Sequence, residues 1–134
     1  MSTNKIYNDG DPLPAPVPAG TKSGDPVRIG GLNGVAIVDR AAASTGPVNA
    51  DGSLNAAYNH GGGNADGNTS VDYSGAFELS VTSAAAPTYG QAIHLAAAGL
   101  TTTAGSDPLW GHSVDLAPIA GDAGKFITLV RISN

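Results

Sequence analysis

The chain has no cysteine, a single glutamate (Glu78), a single glutamine (Gln91), and few aromatic or charged residues. Without cysteine there is no disulfide and no thiolate chemistry. With Glu and Gln nearly absent, Ala is the main strong helix former left, which argues for an all-β fold. Charged residues make up 13% of the chain and the net charge is -5. The basic residues (Lys5, Lys22, Arg28, Arg40, Lys125, Arg131) are scattered, so the clustered cations that phosphate binding needs are missing. Nucleic acid is therefore not expected as a partner. No apolar run is long enough to span a membrane, and no membrane partner is expected. The opening MSTNKIYNDGD shows no basic-then-apolar leader, and the absence of cysteine fits a product of the bacterial cytosol. At 5% aromatics, the core must come from Val, Ile, Leu and Ala.

What is abundant is glycine (19) and proline (9) in 134 residues, a length that suits one domain. The chain is organised around residues 20–39. Two apolar runs, Val27-Arg28-Ile29 and Val35-Ala36-Ile37-Val38, are separated by Gly30-Gly31-Leu32-Asn33-Gly34 and preceded by Ser23-Gly24-Asp25-Pro26. This reads as turn, strand, turn, strand. The second run is apolar throughout, as a strand covered on both faces would be.

The pattern returns later. Tyr89-Gly90-Gln91-Ala92-Ile93-His94-Leu95 matches residues 23–29 in type, and Trp110-Gly111-His112-Ser113-Val114 matches residues 33–37. Alternating Leu13, Ala15 and Val17 precede the first copy; Phe77, Leu79 and Val81 precede the second. The expectation is a small β-barrel or β-sandwich built from two similar three-strand halves, about 11–39 and 75–117. Residues 125–132, KFITLVRI, form a closing strand rich in β-branched residues.

Residues 1–18 read as an extended, proline-rich N-terminal arm, with a single β domain over 19–134. Pro12, Pro14, Pro16 and Pro18 alternate with Leu13, Ala15 and Val17, and proline cannot donate to a ladder, so a central strand is excluded. An arm lying on a surface and an edge strand of the same domain both satisfy this pattern. Residues 40–74 are rich in Gly, Asn, Ser and Asp. They are read as short strands near Val48 and at 69–73, flanking a protruding loop at about 50–68.

No catalytic constellation emerges. His60, His94 and His112 lack the spacing of a metal site on one element, although His94 and His112 fall on neighbouring strands. The two NADG tetrapeptides, 49–52 and 64–67, lack the ligand set of a calcium loop and read as turns. Gly61-Gly62-Gly63 is followed by no phosphate-binding lysine, and there is no nucleophile elbow. Glu78 lies opposite in phase to Phe77 and Leu79, which places it in solvent. Trp110 reads as a core or subunit-contact residue. No enzyme activity, cofactor or metal is expected.

The sequence goes further through one resemblance. Asp9-Gly10-Asp11 with Leu13, then PVPAG at 16–20, SGDPV at 23–27, Gly31-Leu32 and Gly34-Val35-Ala36, resemble the capsid decoration, or head cement, family of tailed bacteriophages, formerly a domain of unknown function. Gly75 to Leu79 with Val81, Gly90 to Ile93, Gly111 to Leu116 and the strand 125–132 resemble it too; residues 44–70 do not. The resemblance implies a homotrimer on the outer surface of the phage head, bridging major capsid protein subunits within the virion. On that reading the capsid-contact residues are Ile6, Tyr7, Leu13, Pro14, Pro16 and Val17. The rival reading is a virion-surface carbohydrate-binding or host-attachment module using Tyr58, Tyr73 or Trp110.

Overall fold

The computed structural model describes residues 12–41, 48–55 and 64–134. The fold is all-β. Its strands are β1 (Leu13–Pro16), β2 (Pro26–Ile29), β3 (Leu32–Ala36), β4 (Asn68–Asp72), β5 (Ala76–Thr82), β6 (Ala92–Ala96), β7 (Gly99–Thr101), β8 (Leu109–Ser113), β9 (Ile119–Ala120) and β10 (Lys125–Ile132). They form a four-stranded sheet, β1-β4-β3-β2, and a six-stranded sheet, β5-β7-β6-β8-β10-β9. In the second sheet β5 pairs with β10 as well as β7, so five of its strands close on themselves as a barrel.

The two halves repeat each other strand for strand, and each carries a fourth strand beyond the three that the sequence pattern marks. β1-β4-β3-β2 has the same antiparallel neighbours as β5-β10-β8-β6. The registers agree: Leu13 faces Val71 where Phe77 faces Val130, and Val27 faces Gly34 where Ile93 faces Gly111. The added strands, β4 and β10, each bury a Thr and a Val two residues apart: Thr69 and Val71, Thr128 and Val130. These four positions point inward because side chains alternate along a strand.

The entry turns repeat as well. Asp25 N–H donates to Lys22 O at 3.1 Å, and Gln91 N–H to Thr88 O at 3.0 Å. Each turn is closed again by the side chain of its last residue, Asp25 Oδ2 accepting from Lys22 N–H and Gln91 Oε1 from Thr88 N–H. Both turns need a positive φ at the third residue, 90° at Gly24 and 84° at Gly90, which glycine adopts without steric cost.

The halves differ where β2 leads into β3 and β6 into β8. The first connection is the tight Gly30-Gly31 turn between Ile29 and Leu32. The second is the excursion after Ala96, which folds back as β7 and pairs antiparallel with β6 and parallel with β5. That inserted strand closes the second half; the first half, without one, stays open.

The barrel core holds Leu79, Val81, Ile93, Leu100, Trp110, Val130 and Ile132, and Val35 joins it from the other sheet. A smaller cluster of Ala15, Val17, Val27 and Val71 sits in the open sheet. β3 is covered on both faces, since Asn33, Val35 and Ala36 are all buried. The halves are bonded across their seam at equivalent positions. Trp110 Nε1 donates to Val27 O at 3.1 Å, and Asn33 Nδ2 donates to Leu109 O at 3.1 Å and Ser133 O at 2.7 Å. Among the described residues no buried side-chain nitrogen or oxygen lacks a partner.

Residues 13–17 are not part of a separate arm. β1 is an edge strand of the open sheet, because alternate residues Ala15 and Val17 bury into its core. Val17 N–H donates to Gly67 O at 3.1 Å, so odd-numbered backbone groups face β4 and even-numbered ones face the free edge. Pro14 and Pro16 therefore sit where no N–H is needed.

Candidate functional site

The residues proposed for capsid contact separate into three groups. Ile6 and Tyr7 lie outside the described residues, as does the chain before residue 12. Pro14 and Pro16 are exposed and Leu13 is half-buried. Val17 is buried in the core of the open sheet, so its side chain is withdrawn from any contact surface. The outer edge of β1 offers carbonyls but no N–H groups at residues 14 and 16, which disfavours addition of a partner strand there.

A different surface on the barrel exposes apolar side chains. Its origin is Asp115. One carboxylate oxygen accepts from Ala117 N–H at 2.9 Å and the other from Leu129 N–H at 3.0 Å. These two bonds, with Ala117's first, hold the Asp115 carboxyl below the usual carboxylate range. The turn follows the end of β8 at Ser113. Leu116, within this turn, is 90% exposed. The chain returns as β9, where Ile119 lies directly opposite Ile127 of β10. Ile119 is 67% and Ile127 38% exposed, so this pair presents an apolar face to solvent, and Leu116 is a further exposed apolar side chain on the turn before β9. The signal was in the sequence: Asp115 followed by Ala117-Pro118 is a side-chain-closed turn with a strand-breaking proline.

The histidines do not meet. Ala92 faces His112 and His94 faces Leu109. His94 Nδ1 lies 3.1 Å from Asp107 O, whereas His112 Nδ1 lies 3.3 Å from Ser133 Oγ. His60 is outside the described residues. No group of three His, Cys, Asp or Glu side chains that could hold a metal occurs among the described residues. Both NADG tetrapeptides are turns. Gly52 N–H donates to Asn49 O at 3.0 Å, and Asp51 Oδ1 accepts from Ser53 N–H at 2.9 Å and from its hydroxyl, which lowers the Asp51 carboxyl. In the second copy Asn68 N–H donates to Ala65 O at 3.0 Å. The first turn brings exposed Val48 and Leu54 together as a single antiparallel bridge, where a short strand was expected near Val48.

Glu78 is exposed, as its phase implied. Of the aromatic residues weighed for sugar contact, Trp110 is fully buried and Tyr58 is outside the described residues. Tyr73 packs against the open-sheet cluster, and burial pushes its hydroxyl pKa up. Among the described residues, the exposed ring is that of Tyr89. Tyr89 borders a surface depression of about 400 Å³ that also takes in His112, Arg131 and Asn134.

Searches of protein-family models, of curated proteins and of solved structures found no match to this chain.

Proposed function

We propose that this chain is a capsid decoration protein of a tailed bacteriophage. It binds the outer surface of the mature head and bridges major capsid protein subunits, acting as a homotrimer with neither catalysis nor cofactor. The sequence resemblance supports this reading, and so does the chemistry of the surface. The observation that carries it is the exposed Ile119 and Ile127 face, with Leu116 exposed on the turn before β9. An exposed apolar surface on a domain whose described buried side-chain polar groups are satisfied is a contact surface, stable in water but better covered. Here it meets the capsid, together with the exposed rings of Pro14 and Pro16.

The mechanism is mass action. A protein that binds only the expanded shell stabilises that state, and does so increasingly, as the logarithm, when its free concentration rises above its dissociation constant. Trimeric attachment makes the second and third contacts intramolecular, so weak apolar contacts suffice.

The test is co-sedimentation with empty expanded heads, comparing wild type with Ile119→Asp/Ile127→Asp. Both positions are solvent-facing, so the variant keeps its fold by circular dichroism. The expected result is saturable binding of wild type and at least about a tenfold loss in the variant, since buried aliphatic side chains contribute roughly 1.5–3 kcal/mol each. Equal binding of both proteins refutes the assigned face; no binding of wild type refutes the function.

A further inference from the structure

We propose that the depression beside Tyr89 binds a carboxylate-bearing sugar, of the uronic acid type. The site is assembled from the turn before β6, from β8 and from the end of β10. Gly90 N–H donates to Ser113 O at 2.7 Å, which fixes the turn that carries Tyr89. The Tyr89 side chain is left 66% exposed at the rim. His112 and Arg131 are register partners on neighbouring strands, so their side chains share one face.

The lining chemistry selects an anion. Among the described residues no Asp or Glu lines this depression. Arg131 makes no ion pair among the described residues. Its guanidinium presents the planar donor fork that matches a carboxylate. Asn134 is already committed: its side-chain amide donates to Asn33 O and Tyr73 O, both at 2.8 Å, and accepts from Asn33 N–H at 2.7 Å. Ser133 Oγ engages His112 Nδ1, which leaves Nε2 for a ligand.

The size and the ring select a sugar over a bare carboxylate. About 400 Å³ falls within the range of small-ligand pockets, roughly 300–1,000 Å³, and a carboxylate alone fills a small part of it. The Tyr89 ring offers an apolar face for the C–H side of a pyranose, and its hydroxyl a polar tip. The sugar hydroxyls then have the Tyr89 hydroxyl and His112 Nε2 as partners. This site is distinct from the apolar face of β9 and β10, and it does not depend on the capsid reading.

The experiment is a titration of the full chain, followed by amide NMR shifts at pH 7, with glucuronate, glucose, acetate and phosphate as separate probes. Glucuronate is expected to saturate the residues around 89, 112 and 131 in the millimolar range, about tenfold or more tighter than the other three. Arg131→Gln is expected to weaken glucuronate at least about tenfold, the usual effect of losing a charge-assisted bond. Tyr89→Ala weakens glucuronate and leaves the acetate response unchanged. Lack of saturation by glucuronate overturns the proposal, as does equal affinity for acetate or phosphate. So does undiminished glucuronate binding by Arg131→Gln.

Discussion

Trp110 of the barrel donates its indole N–H to the carbonyl oxygen of Val27 in the open sheet, 3.1 Å away. In the repeat, position 110 corresponds to position 33, and Asn33 reaches the opposite way, to Leu109 O and Ser133 O. The two halves are thus fastened from both sides at the same place in the motif.

Trp110→Phe keeps most of the packing and loses the seam bond, and the expected cost is about 1 kcal/mol. Asn33→Ala removes the bonds to Leu109 and Ser133 and the acceptor for Arg28 Nη1, so a larger loss of about 1–3 kcal/mol is expected. Urea unfolding of both variants checks the order. A Trp110→Phe effect exceeding that of Asn33→Ala contradicts this account of the seam.

Gly34 and Gly111 hold equivalent places, and both are glycine because backbone passes where a Cβ would stand. A Cβ at 34 meets Asp72 O at 2.8 Å and the Val71 side chain, while one at 111 meets Arg131 O and Val130 Cγ1. Gly34→Ala and Gly111→Ala should each destabilise by about 1–3 kcal/mol or more, since rigid neighbours cannot yield. Thermal unfolding of the two variants measures this; unchanged midpoints contradict it.

The duplicated motif was legible because its turns and close approaches demand glycine at matching places: 24 and 90, 34 and 111. Strand β10 was equally plain, with residues 125–132 read correctly from their dense β-branched pattern. What the pattern could not give was closure. β4 and β10 lie far along the chain from the hairpins they join, and pairing over such distances leaves no local signal. β7 and β9 are three and two residues long, too short for periodicity to register. Leu116 lies beyond β8 because the Asp115 carboxylate, bonded to Ala117 and Leu129 N–H, turns the chain out. The burial of Val17 was ambiguous for a different reason: edge strands and free arms tolerate the same prolines.

Acid should weaken the fold. Asp39 is held low by the Ser23 N–H bond first and then by Lys22, and Asp115 by the N–H groups of Ala117 and Leu129. A carboxyl whose folded pKa is depressed contributes stability that is complete above its unfolded value, about 4. That contribution disappears as pH falls through the lower folded value. The thermal midpoint is therefore expected to be flat from pH 7 to 5 and to drop below about pH 4. Asp115→Asn should shrink that drop. An identical acid limb in the variant contradicts the role given to Asp115.

Prolines 14 and 16 protect the free edge of β1. Pro14→Val/Pro16→Val supplies two outward N–H groups and raises strand propensity, so the fold should persist while self-association increases. Light scattering during prolonged incubation reads this directly. Variant and wild type scattering alike would show that the edge needs no protection.

The central claim is that this chain serves a phage head by covering it. The direct measurement is the ratio of this chain to major capsid protein in gradient-purified virions, by quantitative mass spectrometry. A fixed ratio, kept through repeated purification and lost when Ile119 and Ile127 are changed to Asp, is the expected result. Virions that carry none of the chain would contradict the account.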